Sequence, residues 1–176
     1  TLFRSTTEDP EAALAIYKRV YLNCRAAGDW PTTLEAGTQA GILEQKLGHY
    51  RQAGDLLREM LQMLPPDAPY DTLTLANAWH KLGVSYYFAD QYRPALQSLE
   101  KALRLREQFH KAPANDIIKG YHNIGDCYYL LGDYEQSEAY LLQSLQRQTQ
   151  PPTPDIAKTY RVLSMLYNRQ GDIQKA

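Results

Sequence analysis

The sequence predicts an all-α solenoid of stacked antiparallel helix hairpins, and three observations predict it. One pattern recurs along the chain: Gly41, Gly83 and Gly125 stand 42 residues apart, and Ser164 continues the column after 39. Tyr50, Tyr92 and Tyr134 keep the same step, as do Leu57, Leu99 and Leu141. Within each copy the apolar residues fall at helix spacing, as with Trp79, Leu82, Gly83 and Tyr86 at i, i+3, i+4 and i+7. No stretch shows the alternation of a strand. A fixed period decides the architecture ahead of any local signal, because one hairpin cannot bury its own apolar face and its neighbours must do so.

The punctuation sets the elements in order. Helices are expected over 10–27, 31–47, 50–64, 72–89, 92–110, 115–131, 134–149 and 154–170, with another starting near 173. Gly48, Gly132 and Gly171 end first helices, since glycine suits the left-handed residue that follows a helix. Asp90 takes that place in the unit that begins near Ala76, a poorer residue for it. "LPPDAPYD", "HKAPAND" and "QPPTPD" separate the units: proline cannot continue a helix, and Asp116 and Asp155 are expected to cap the next one. Inside the helices, Gly125 and Ser137 are read as the small residues at which the two helices of a hairpin cross, with Tyr134 and Leu141 filling the space on either side. Glycine inside a helix costs about 1 kcal/mol against alanine, so its return in one column implies a packing reason.

Composition bounds the function. The chain has 176 residues, 44% hydrophobic and 22% charged, with a net charge of −1. No apolar run is long enough to span a membrane, and TLFRSTTEDP has no signal-peptide core. Near-neutral charge gives no basic stripe for nucleic acid. Cys24 and Cys127 form no CxxC or Cys/His cluster and read as free thiols, which points to a reducing, cytoplasmic setting. The 14 tyrosines recur at repeat spacing and read as core residues rather than base-stacking ones. There is no P-loop, GxSxG, HExxH or Gly-rich phosphate cradle, so no enzyme and no cofactor is expected. His80 and His122 share a column, but nothing completes a metal site around them.

The columns resemble the tetratricopeptide repeat (TPR). Trp79, Leu82, Gly83, Tyr86, Tyr92, Ala95, Leu99 and Ala102 fill one unit. Tyr121, Ile124, Gly125, Tyr128, Gly132, Asp133, Tyr134, Leu141 and Ser144 fill another. The long period resembles that of kinesin light chains and bacterial multi-repeat signalling proteins. The resemblance implies a right-handed superhelix in a single domain, 1–176, cut from a longer array. Residues 10–27 would be the second helix of a partial repeat, with Ala13, Tyr17 and Val20 in its columns. Repeats would follow at 31–64, 72–110 and 115–149, and a partial one at 154–176. Gly37, where a large residue is usual, and Met60, where alanine is usual, depart from the pattern.

The resemblance also implies a concave groove lined by the second, fifth, sixth, ninth, twelfth and thirteenth residues of each unit. Those are Glu35, Thr38, Gln39, Ile42, Gln45 and Lys46, then Asn77, His80, Lys81, Val84, Tyr87 and Phe88. The next unit gives Lys119, His122, Asn123, Asp126, Tyr129 and Leu130, and the last Lys158, Arg161, Val162, Met165, Asn168 and Arg169. Six cations against Glu35 and Asp126 leave the groove at +4, with Tyr87-Phe88 and Tyr129-Leu130 as an expected aromatic ladder beside them. Such a surface suits a protein or peptide with acidic and apolar groups. The clamp that grips chaperone C-termini is not matched: Thr38 with Ile42, and His80 with Val84, stand where Lys and Asn are needed, although Asn123 and Lys158 would fit. The expected function is a protein-interaction scaffold within a larger signalling or regulatory protein. The alternative is a ligand-gated array controlling a fused DNA-binding or protease-like domain. A bare C-terminal face carrying Leu163, Leu166 and Tyr167 is expected to permit self-association.

Overall fold

The computed structural model describes residues 9–109, 111–147 and 154–171. These form helices α1 (Pro10–Ala27), α2 (Trp30–Lys46), α3 (Tyr50–Met63), α4 (Thr72–Phe88), α5 (Tyr92–Gln108), α6 (Ala114–Leu131), α7 (Tyr134–Gln146) and α8 (Pro154–Gln170), with no strand among the described residues. The ends agree with the expected ones to within two residues, except that α7 closes at Gln146. The helix expected near 173 lies outside the described residues.

Local chemistry sets the ends. Aspartates cap α1, α2, α4 and α7: Asp9, Asp29, Asp71 and Asp133 each accept a hydrogen bond from a backbone N–H of the first turn. The expected caps Asp116 and Asp155 are not caps. Pro113 occupies the N-cap of α6 and α8 starts at Pro154, so both aspartates fall inside a first turn. A carboxylate there still favours the helix through the macrodipole. Gly48, Gly132 and Gly171 turn with positive φ, as does Asp90 at 60°. Asp90 Oδ1 accepts the Tyr92 hydroxyl at 2.8 Å, which helps to hold that strained turn.

Each helix packs on the next, and α2 also meets α4 while α6 meets α8. The second helices α3, α5 and α7 do not meet one another in this way. First helices that approach across units, as α2 with α4 and α6 with α8, while the second helices do not, curve the array with the first helices inside. Tyrosines seal the joints between units. Tyr128 of α6 donates to Glu100 of α5 at 3.3 Å, and Tyr167 of α8 donates to Glu138 of α7 at 2.7 Å.

The glycine column has the expected cause. A Cβ on Gly41, Gly83 or Gly125 would lie 2.8, 2.6 or 2.7 Å from Cγ of Leu57, Leu99 or Leu141 respectively. Those leucines are wholly buried. The two departures in the unit over 31–64 compensate each other. A Cβ on Gly37 would run into the Met60 sulfur, and Met60 is fully buried. Where other units pair Trp79 with Ala102 and Tyr121 with Ser144, this one places the small residue on the first helix and the large one on the second.

The last helix departs from expectation. Leu163, Leu166 and Tyr167 are not bare: all three are buried with Tyr129 and Leu141. The apolar groups that α8 exposes are Tyr160 and Met165.

Two stability outcomes follow from this packing. Gly125→Leu should lower unfolding free energy by about 1–3 kcal/mol or more, read by urea denaturation; an unchanged midpoint would remove the close-approach explanation. Met60→Ala should cost about 2–5 kcal/mol. Gly37→Ala should destabilise the wild type yet be neutral or stabilising in the Met60→Ala background, because the clash is gone and alanine favours helix. Equal effects in both backgrounds would refute the compensation.

Candidate functional site

The candidate groove lies on the inner helices α2, α4, α6 and α8, and the structure divides its expected residues in two. Lys119, Lys158, Arg161, Met165 and Arg169 are exposed, as is Lys46. Asn77, Lys81, Val84, Asn123 and Asp126 are half-buried. His80, His122 and Tyr129 are buried. The aromatic ladder is therefore not an open one. Tyr129 packs in the last core cluster, and Tyr87 donates its hydroxyl to Asp126 at 2.7 Å. Phe88, half exposed, stacks on Tyr50 with ring centroids 4.4 Å apart. Position counting predicts direction from the helix axis; it does not predict the neighbour that covers a side chain.

Cross-unit polar bonds hold this surface together. Gln45 of α2 donates to the Lys81 carbonyl at 2.7 Å and to Ser85 Oγ at 2.8 Å, both on α4. His122 Nδ1 of α6 lies 3.0 Å from Thr159 Oγ1 of α8. The two histidines of one column thus have different partners, Arg106 for His80 and Thr159 for His122. Among the described residues no three His, Cys, Asp or Glu side chains converge as metal ligands. Arg169, above the Tyr129 ring, donates to the Tyr134 hydroxyl at 3.2 Å.

The centre of the groove carries a residue that the groove positions do not contain. Arg106 of α5 reaches inward between α4 and α6. Its Nη1 lies 3.3 Å from His80 Nδ1 and donates to the Asp116 carbonyl at 3.2 Å. Arginine has no acceptor, so His80 Nδ1 must accept, and the ring carries its proton on Nε2. One signal in the sequence marks Arg106: 42 residues earlier the same column holds Leu64. Asp116 is the opposing charge of Arg106, and Arg106, Lys119 and Lys46 in turn act on Lys81. Burial and these like charges push the Lys81 ammonium below its ordinary range.

Two profiles of the tetratricopeptide repeat match the sequence, over residues 76–109 and 116–176. No curated protein matches it in sequence. Solved structures match its fold. BtubC (BKLC) from P. vanneervenii is 20% identical with a TM-score of 0.71, over 95% of this chain and 69% of that one. The apo form of RapI is 15% identical with a TM-score of 0.80, over 97% of this chain and 61% of that one. The Rap conjugation gene regulator of plasmid pLS20, in complex with the Phr* peptide, is 20% identical with a TM-score of 0.67, over 85% of this chain and 41% of that one. The chain thus spans less than two thirds of either Rap protein. Among the described residues no helix is long and apolar enough to cross a membrane.

The buried imidazole makes stability depend on pH. Burial first, then Arg106, Lys81 and Lys119, push the pKa of His80 from 6.5 down to about 3. Between those values the unfolded chain binds a proton that the folded chain refuses. The stabilisation is fully present above 6.5 and falls as pH drops towards 3, by at most about 1.4 kcal/mol per pH unit for one group. His80→Gln, which can still accept from Arg106, should flatten this slope in urea denaturation run across that pH range. Parallel curves for the two proteins would show that His80 is not the titrating group.

Proposed function

The chain belongs to the tetratricopeptide-repeat family, and from that premise we propose that it is an interaction scaffold whose concave face binds a peptide segment with acidic and apolar groups. One observation carries the reading: in a chain of net charge −1, the groove positions of the inner helices hold Lys46, Lys81, Lys119, Lys158, Arg161 and Arg169 against Glu35 and Asp126, with Asp116 beside them. Such an excess attracts an acidic segment and orients it along the groove. Exposed Phe88, Leu130 and Met165 supply apolar contact beside the cations. The pLS20 Rap protein, of similar fold, is a peptide complex, which supports a peptide as the kind of ligand. On this reading the segment acts within a larger regulatory protein, in the cytoplasm.

The test uses a displayed library of random peptides. Wild-type protein should enrich sequences that mix acidic with apolar residues, and their binding should weaken as salt rises, because exposed charges are screened beyond about 8–10 Å. Replacing Lys46, Lys119, Lys158 and Arg161 by glutamate should abolish that enrichment. Helicity should survive, since exposed positions seldom contribute more than about 0.5 kcal/mol each. Enrichment of the same peptides by both proteins would move the binding surface off the inner helices.

A further inference from the structure

One column falls near the end of the second helix in two consecutive units. In the unit over 31–64 it holds Leu64, packed against the first core cluster. The next unit fills it with the guanidinium of Arg106, only 3% exposed. No carboxylate forms an ion pair with Arg106 among the described residues. A guanidinium presents five N–H donors in a planar fork. Here Nη1 alone has acceptors, and Nε and Nη2 have none among the described residues. Asp116 is the opposing charge but makes no ion pair with Arg106 among the described residues, so the rest of the fork is left for another acceptor.

Arg106 also forms part of the wall of a cavity of about 190 Å³, with Gln39, Thr74, Asn77 and Asp116 around it. That is smaller than the roughly 300–1,000 Å³ of a drug-sized pocket, and it suits one polar group. Gln39 and Asn77 bring amide donors from α2 and α4. Arg106 is the cation of the cavity wall, and Glu35 and Asp116 are the two carboxylates. The two carboxylates at the cavity favour a monoanion over a phosphate dianion. A carboxylate also matches the guanidinium fork in shape, since both are planar and can pair through two parallel hydrogen bonds.

We propose that this cavity is a carboxylate subsite, in which Arg106, assisted by Asn77 and Gln39, takes one carboxylate of the ligand bound on the concave face. That the carboxylate belongs to a groove peptide rests on the function proposed above; the subsite itself does not. Its walls come from α2, α4, α5 and the start of α6, so an anion in it bridges three units. Occupation would neutralise the buried cation and fix the pitch between those units.

The experiment follows the Asn77 and Gln39 side-chain amide signals by NMR during titration with four small molecules. N-acetyl-aspartate amide offers a side-chain carboxylate, N-acetyl-alanine a terminal one, N-acetyl-asparagine amide is the neutral control, and inorganic phosphate is the competing anion. Both carboxylates should give saturable shifts in the millimolar range, and the tighter of the two names the source. The neutral amide should give none. Arg106→Leu, which restores the residue of the column, should fold and weaken the carboxylates by about tenfold or more, the loss of charged hydrogen bonds; Arg106→Lys should fall between. The proposal is overturned by equal shifts from the neutral amide, by unchanged binding in Arg106→Leu, by no saturable shift from either carboxylate, or by tighter phosphate. If the four-glutamate protein keeps its peptides while Arg106→Leu loses the carboxylates, the groove reading falls and the subsite stands. The reverse result fells the subsite alone.

Discussion

The structure depends on how closely the two helices of a hairpin can approach. Leu57, Leu99 and Leu141 each lie over a glycine of the facing helix, where a single added carbon would collide. Glycine weakens its own helix, by about 1 kcal/mol. The close crossing recovers that cost in van der Waals contact around a wholly buried leucine. Because the contact is made of one small and one large residue in register, it also fixes which turn of one helix meets which turn of the other. The period follows from this register, since each unit must repeat it to present the same face to the next.

The same constraint explains why the pattern can be broken without breaking the fold. Gly37 and Met60 each look like a defect in sequence, yet together they fill the volume that Trp79 and Ala102 fill one unit on. What is conserved between units is the sum across the crossing, not the residue at either position. Cores tolerate such exchanges when total volume is kept.

Most of the fold was legible in the sequence because helix spacing and repeat columns report on it at every turn. The crossing at Gly125, the turns at Gly48 and Asp90, and the helix ranges all rest on local or periodic signals. The miscast caps Asp116 and Asp155 show the limit of a local rule, since a proline just upstream can open the helix first. The site was less legible. Counting groove positions gives the side of the helix but not what lies above it, so Tyr129 was expected to be open and is buried against α8. Tyr87 was expected to meet ligand and instead binds Asp126. Arg106 escaped the count because it comes from a second helix, and only its mismatch with Leu64 marks it.

Departures from a repeat divide into two kinds, and physics separates them. At Gly37 the missing volume is returned by Met60 within the same crossing, so the change is neutral to the fold and says nothing about function. At Arg106, His80 Nδ1 and the Asp116 carbonyl satisfy one edge of the guanidinium and leave the rest without an acceptor among the described residues. Its column could hold a leucine, as Leu64 shows, and an apolar residue in place of a buried ion is often the more stable choice. Burial first, and then this cation, keep His80 neutral. Arg106 also stands at the joint between two units, where α5 packs on α6. A buried guanidinium with part of its fork unbonded, placed at such a joint, is a feature that a ligand can complete.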